Sequence, residues 1–248
     1  IVVPHGGTML NIVPNNATQW FDDYSRFMLH YATLGEQYGA HAVSMGVEYY
    51  SISGPDYADR WRTVVANVRS VFSGDLTYCS LFYKEWQNIN WWDALDWMGI
   101  DAYFFLAYPG TVTPSVATMA VQLAKDFDKV RSFRANHSLT HIPLVFTEVG
   151  YGSYTTVAGS PGTSPPTESC GANFTSDFGA QQRCYETLFQ VSAANADMLD
   201  KLILFWFDNP STPDFYVNAT HHRPAWDCWF TPRGKPAYKS MQAAFAAP

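Results

Sequence analysis

The chain has 248 residues, 47% of them hydrophobic, 17% aromatic and 15% charged. That apolar content excludes wholesale disorder, and the length excludes a minimal stapled scaffold. Fifteen Lys and Arg against 22 Asp and Glu give a formal charge of −7 with no basic stripe, which argues against a nucleic-acid partner. No run approaches the roughly 18 uninterrupted apolar residues of a membrane span, so no membrane partner is expected either.

Strand and helix signals alternate along the whole length. A short β-branched run, Ile1–Pro4, comes first. Thr18–Tyr38 then reads as a helix with Phe21, Tyr24, Met28, Tyr31 and Leu34 near one face, stopped by Gly39. Ala42–Val47 is strand-like, and a turn through Ser53-Gly54-Pro55 leads to a second helix over Tyr57–Phe72. Leu76–Phe82 is the next strand, Trp92–Trp97 a short helix, and Gly99–Phe105 another strand. Ser115–Phe133 is helical, with Met119, Leu123, Phe127 and Val130 on one face. Ile142–Thr147 and Leu202–Phe207 are two further strands, separated by a loop and a helix near Asp177–Ala193, and a last helix starts after Pro236.

Strands that are continuous apolar runs suit a parallel sheet covered by helices. Neither Gly-x-Gly-x-x-Gly nor a P-loop follows any strand, so nucleotide binding loses its best signal. Acidic and aromatic residues follow the strands instead. That pattern predicts a (β/α)8 TIM barrel with its site at the C-terminal strand ends.

Two carboxylates meet that description: Glu48 after Ala42–Val47, and Glu148 after Leu144–Thr147. Cleavage of a glycosidic bond needs such a pair, one to protonate the leaving oxygen and one to trap the oxocarbenium ion. Sugar rings stack their C–H faces on aromatic side chains. Trp86, Tyr103 and Trp206 stand at or just beyond strand ends, with Trp20 and Trp91 nearby, and His5 follows the first strand. The chain has no Gly-x-Ser-x-Gly elbow and no clustered metal ligands, so neither a cofactor nor a metal is expected.

Four Asn-x-Ser/Thr sequons, at Asn16, Asn136, Asn173 and Asn218, suggest a secreted glycoprotein. Cys79, Cys170, Cys184 and Cys228 allow three pairings. Cys170 and Cys184 flank a Gly/Asn/Ser-rich stretch and could staple a long loop, while Cys79 reads as a small buried hydrophobe.

Several blocks resemble the family 113 glycoside hydrolases, endo-β-1,4-mannanases of the retaining clan A. They are Val3-Pro4-His5, Tyr31–Glu36, Met45–Glu48, Trp92–Phe104, Phe146–Tyr151, Phe205-Trp206 and Gly234–Ala237, in the family's order. The resemblance implies a general acid/base at Glu48 on barrel strand four and a nucleophile at Glu148 on strand seven. It also implies that Tyr103 on strand six bonds the nucleophile, that Trp206 on strand eight floors the reacting subsite, and that His5 lines it. Tyr49-Tyr50 after Glu48 and the long Ser153–Phe178 segment depart from the family pattern.

The expected reaction is double displacement on a β-linked hexosan, β-1,4-mannan first, with the carboxyl groups about 5–5.5 Å apart. The same two glutamates fit a β-glucan or other β-hexosan, and a non-catalytic carbohydrate-binding or structural glycoprotein is the alternative of another class. Strands starting near Ile1, Ala42, Leu76, Gly99, Ile142 and Leu202 number three to eight in the family scheme. The expectation is therefore one barrel domain over residues 1–248 that lacks its first two β-α units.

Overall fold

The computed structural model describes residues 9–163, 170, 174–205 and 228–246. Its contacts group into two compact units. The first runs to Ala102 and adds Ser132–Thr147 and Met198–Leu202; the second holds Tyr103–Arg131, Glu148–Asp197 and the chain from Ile203.

In the first unit α1 (Ala17–Gln37) starts where the Asn16 side chain accepts a hydrogen bond from the Gln19 amide at 3.1 Å, an N-cap. It stops at Gly39, whose φ of 70° is easy only for a residue without Cβ. β1 (Ala42–Val47), α2 (Ala58–Arg69) and β2 (Asp75–Leu81) follow, then a one-turn α3 (Glu85–Asn88) and β3 (Met98–Asp101). α4 (Val116–Asn136), β4 (Leu144–Val149) and β5 (Leu199–Leu204) each begin in one unit and end in the other.

The strands form one parallel sheet in the order β1-β2-β3-β4-β5, as consecutive β-α units of a partial barrel require. β3 is buried at every position and β4 at all but Glu148, which suits strands covered on both faces. α2 presses Trp61, Val64, Val65 and Val68 inward at helical spacing. Trp61 stacks on the fully buried Trp91 at 5.1 Å, and both indoles donate to backbone carbonyls, of Ile52 and Ser53. Buried aromatic rings whose N–H groups find partners contribute area without a polar penalty.

In the second unit α5 (Phe178–Ala193) is capped by the Asp177 carboxylate and packs against α6 (Pro236–Ala246). Gln181, fully buried on α5, donates to the Tyr151 and Phe230 carbonyls at 2.9 and 2.8 Å. Cys170 is bonded to Cys228, so the staple expected between Cys170 and Cys184 is corrected. Cys184 is instead a fully buried thiol on α5, held well above its ordinary pKa by that burial.

β1 keeps its expected bounds, β2 is shifted by one residue and β4 by two, and β3 and β5 depart further. β3 ends at Asp101 rather than Phe105, because the Leu106 and Ala107 amides turn to the Ala158 carbonyl instead of a neighbouring strand. β5 begins at Leu199, three residues early, where the Asp200 carboxylate receives the Leu144 amide at 2.8 Å. A polar, exposed Asp200-Lys201 pair hides that start from any reading based on apolar runs.

Candidate active site

The first unit carries Glu48. Register between β1 and β2 runs Ala42↔Asp75, Val43↔Leu76 and Ser44↔Thr77, then resumes as Val47↔Cys79. β1 thus holds one extra residue just before its end, a bulge, with the Ser44 hydroxyl donating to the Gly46 carbonyl at 2.8 Å. Glu48 itself adopts a left-handed backbone, φ 50°, while its amide donates to the Cys79 carbonyl at 2.8 Å. Its side chain is half-buried. A bulge followed by a left-handed residue re-aims a side chain at a strand end, and such outliers concentrate at functional sites.

Behind Glu48 lies a carboxylate that strand-end reading passed over. Glu85 is fully buried. It accepts the Tyr78 hydroxyl at 2.6 Å and the Leu81 amide at 2.6 Å. Desolvation pushes its carboxyl up from the ordinary range, opposed by those two donors and by the Ser53 hydroxyl. A signal for it did exist: Glu85 comes four residues after the end of β2, in a turn where Lys84 is left-handed at φ 62°.

The second unit carries Glu148, half-buried near the end of β4. Tyr103 donates its hydroxyl to Glu148 Oε2 at 2.9 Å. The Tyr103 ring is 8% exposed and meets Phe205 edge-on at 6.1 Å, so its hydroxyl is aimed by packing. Beyond Glu148, a Cβ on Gly150 would come within 1.7 Å of the Phe205 carbonyl oxygen. Only glycine lets the two segments approach that closely.

Trp86, expected as a sugar platform, lies in the packing instead. It is 3% exposed, its indole donates to the Phe82 carbonyl at 3.0 Å, and Phe133 meets its ring edge-on. Trp91 is likewise interior. An aromatic ring just after a strand is drawn into the core whenever its N–H finds a carbonyl there. His5 and Trp206, and the sequon residues Asn173 and Asn218, lie outside the described residues. Asn16 and Asn136 are exposed, at the N-terminus of α1 and the last residue of α4. Among the described residues no group of three or more His, Cys, Asp or Glu could hold a metal ion, and no helix is long and apolar enough to cross a membrane.

Comparison with curated proteins gives no match. Among solved structures, a GH113 β-1,4-mannanase superposes with a TM-score of 0.73 at 19% identity, over 99% of this chain and 71% of that one. The GH113 β-mannanase AaManA from Alicyclobacillus acidocaldarius, solved in complex with ManMIm, gives 0.66 at 23%, over 92% and 62%. A β-glucuronidase from Ruminococcus gnavus gives 0.56 at 13%, over 79% and 31%. At such identities these likenesses speak to fold. The sequence itself matches the profile of Glycoside Hydrolase Family 113 over residues 11–206, more than half of the chain. The chain belongs to glycoside hydrolase family 113.

Proposed function

We propose that this chain hydrolyses a β-linked hexosan, β-1,4-mannan first among them, with retention of anomeric configuration. The carrying observation is the hydrogen bond from Tyr103 to one oxygen of Glu148. A carboxylate so held is fixed in rotation, and its other oxygen keeps its lone pairs for an anomeric carbon. The two solved GH113 structures named above are those of mannanases, which supports mannan as the first substrate to try.

In the first displacement Glu48 gives its proton to the glycosidic oxygen as the C–O bond breaks, and Glu148 bonds the anomeric carbon. In the second, Glu48 takes a proton from water, the water oxygen bonds that carbon, and Glu148 leaves as a carboxylate. Tyr103 donates to Glu148 more strongly as negative charge returns to it, which favours breakdown of the glycosyl-enzyme. Asn16 and Asn136 are proposed glycan sites of a secreted protein; at Asn16 a glycan on Nδ2 leaves Oδ1 free to cap α1.

The test is release of reducing ends from mannan, β-glucan and mixed-linkage polysaccharides, with Glu148→Gln as the matched control. Proton NMR of the first-formed product follows. Release of the β-anomer supports the reading. Release of the α-anomer removes the nucleophile, and binding without release on every polymer removes the enzyme.

A further inference from the structure

Among the described residues, three non-glycine positions have a left-handed backbone: Glu48, Lys84 and Ser138. Two of the three, Glu48 and Lys84, immediately precede members of one hydrogen-bond chain. The Tyr49 amide, next in sequence after Glu48, donates to the Tyr78 hydroxyl oxygen at 2.8 Å. That hydroxyl has one proton, and it goes to Glu85 Oε1 at 2.6 Å. Glu85 Oε2 receives the Leu81 amide, which ties the far end of the chain back to β2. Burial and the facing Glu85 both raise the Tyr78 pKa, which keeps the phenol protonated and the direction fixed.

The fully buried Ser53 hydroxyl lies beside the same pair and acts on both Tyr78 and Glu85. Lys84 reverses the backbone so that Glu85 can reach its own strand end, and the cost of a left-handed lysine is offset by the two hydrogen bonds that the Glu85 carboxyl group accepts. On the other side, Gly46 has no Cβ where the Tyr49 and Tyr78 rings pass: an added one would lie 2.9 Å from each. The two residues following the bulge are therefore both anchored on β2, Glu48 through the Cys79 carbonyl and Tyr49 through Tyr78. Among the described residues Glu85 has no ion-pair partner, and a buried carboxylate so placed is a poor device for stability alone.

We infer that Glu85, acting through Tyr78 on the Tyr49 amide, is a positioning residue that fixes the backbone presenting the acid/base Glu48. This rests on the reading of Glu48 as the proton donor to the leaving group. An acid held out of line costs most when the leaving oxygen needs its proton, and least when the leaving group is already stable as an anion.

The experiment compares two substrates across Glu48→Ala, Tyr78→Phe and Glu85→Gln: mannan, and 2,4-dinitrophenyl β-mannobioside, whose phenolate leaves without protonation. Tyr78→Phe and Glu85→Gln are expected to lower kcat/KM on mannan on the order of ten- to a hundredfold, mainly in kcat. On the dinitrophenyl substrate they should lower it less than about threefold. A loss equal on both substrates in these two variants, while Glu48→Ala discriminates, overturns the positioning role and leaves the acid assignment standing. Equal loss in Glu48→Ala overturns the acid assignment and this inference with it. Tyr78→Phe keeps the ring in the packing and so guards against a variant that fails to fold.

Discussion

The ends of β1 and β4 present the same functional group by opposite means. At the end of β1 the backbone is irregular: a bulge, a left-handed Glu48, and amides anchored on β2 and on Tyr78. At the end of β4 the strand carries Glu148 in its ordinary alternation, and the control is on the side chain, through the Tyr103 hydroxyl. A proton donor must reach an oxygen that moves away from the ring, whereas a nucleophile must meet one carbon with one oxygen. In the proposed roles, main-chain anchoring would aim the proton donor Glu48, and a directed hydrogen bond would orient the nucleophile Glu148.

The largest expected effect removes the side-chain-controlled group. Glu148→Gln should lower turnover on the order of 10⁴-fold while the thermal midpoint barely moves, because the amide keeps the volume and can still accept from Tyr103. A variant with full activity breaks the comparison at its β4 end. Next comes the disulfide. Cys170 and Cys228 are 58 residues apart, and opening that loop is worth about 4 kcal/mol in the chain-entropy account. Because the Ser153 amide donates to the Cys228 carbonyl, reduction should speed hydrogen exchange around Ser153 and leave the Glu48 bulge protected. Equal loss of protection at both would show the two ends are not independently held.

Two smaller substitutions sharpen the contrast. Tyr103→Phe removes the hydrogen bond that orients Glu148 while the ring keeps its packing, so kcat should fall on the order of ten- to a hundredfold through lost orientation, with little change in stability. Gly46→Ala is its opposite: the new methyl must displace the Tyr49 and Tyr78 rings, an overpacking cost of about 1–3 kcal/mol. That corresponds to roughly 2–4 °C of Tm per kcal/mol in a chain of this size. If Tyr103→Phe proves the more destabilising of the two, the assignment of side-chain control to one end and main-chain control to the other is reversed.

Legibility followed the same division. Glu148 stands two residues past the apolar run Leu144–Phe146, so strand-end reasoning picks it out, and Ala42–Val47 is a strand with the bounds its apolar run suggests. The bulge does not announce itself, because Ser44 and Gly46 fit a regular strand equally well and only the partner's register shows the extra residue. Glu85 sits in Phe82–Trp86, where the apolar count favours nothing in particular, and its role depends on Tyr78, a residue whose hydroxyl could have faced anywhere. Trp86 turns inward for a related reason: position after a strand does not say whether a ring faces out or in. The disulfide partner of Cys170 depends on contacts made far along the chain.

The smallest effect concerns Glu85 and pH, and its sign is opposite to that of an ordinary paired carboxylate. Burial raises the folded-state pKa of Glu85 above its unfolded value, so the native protein holds this proton more tightly. Its contribution to stability is full below the unfolded pKa and is lost as pH rises through the folded one. The stability of wild type relative to Glu85→Gln, measured by urea unfolding, should therefore be greater at pH 4 than at pH 7. A larger advantage at pH 7 would mean that the Tyr78 and Leu81 donors outweigh desolvation and hold Glu85 as a stabilised anion. Both hydrogen bonds to Glu85 would then be charge-assisted, and the Tyr78 link to the Tyr49 amide would be held the more firmly as pH rises.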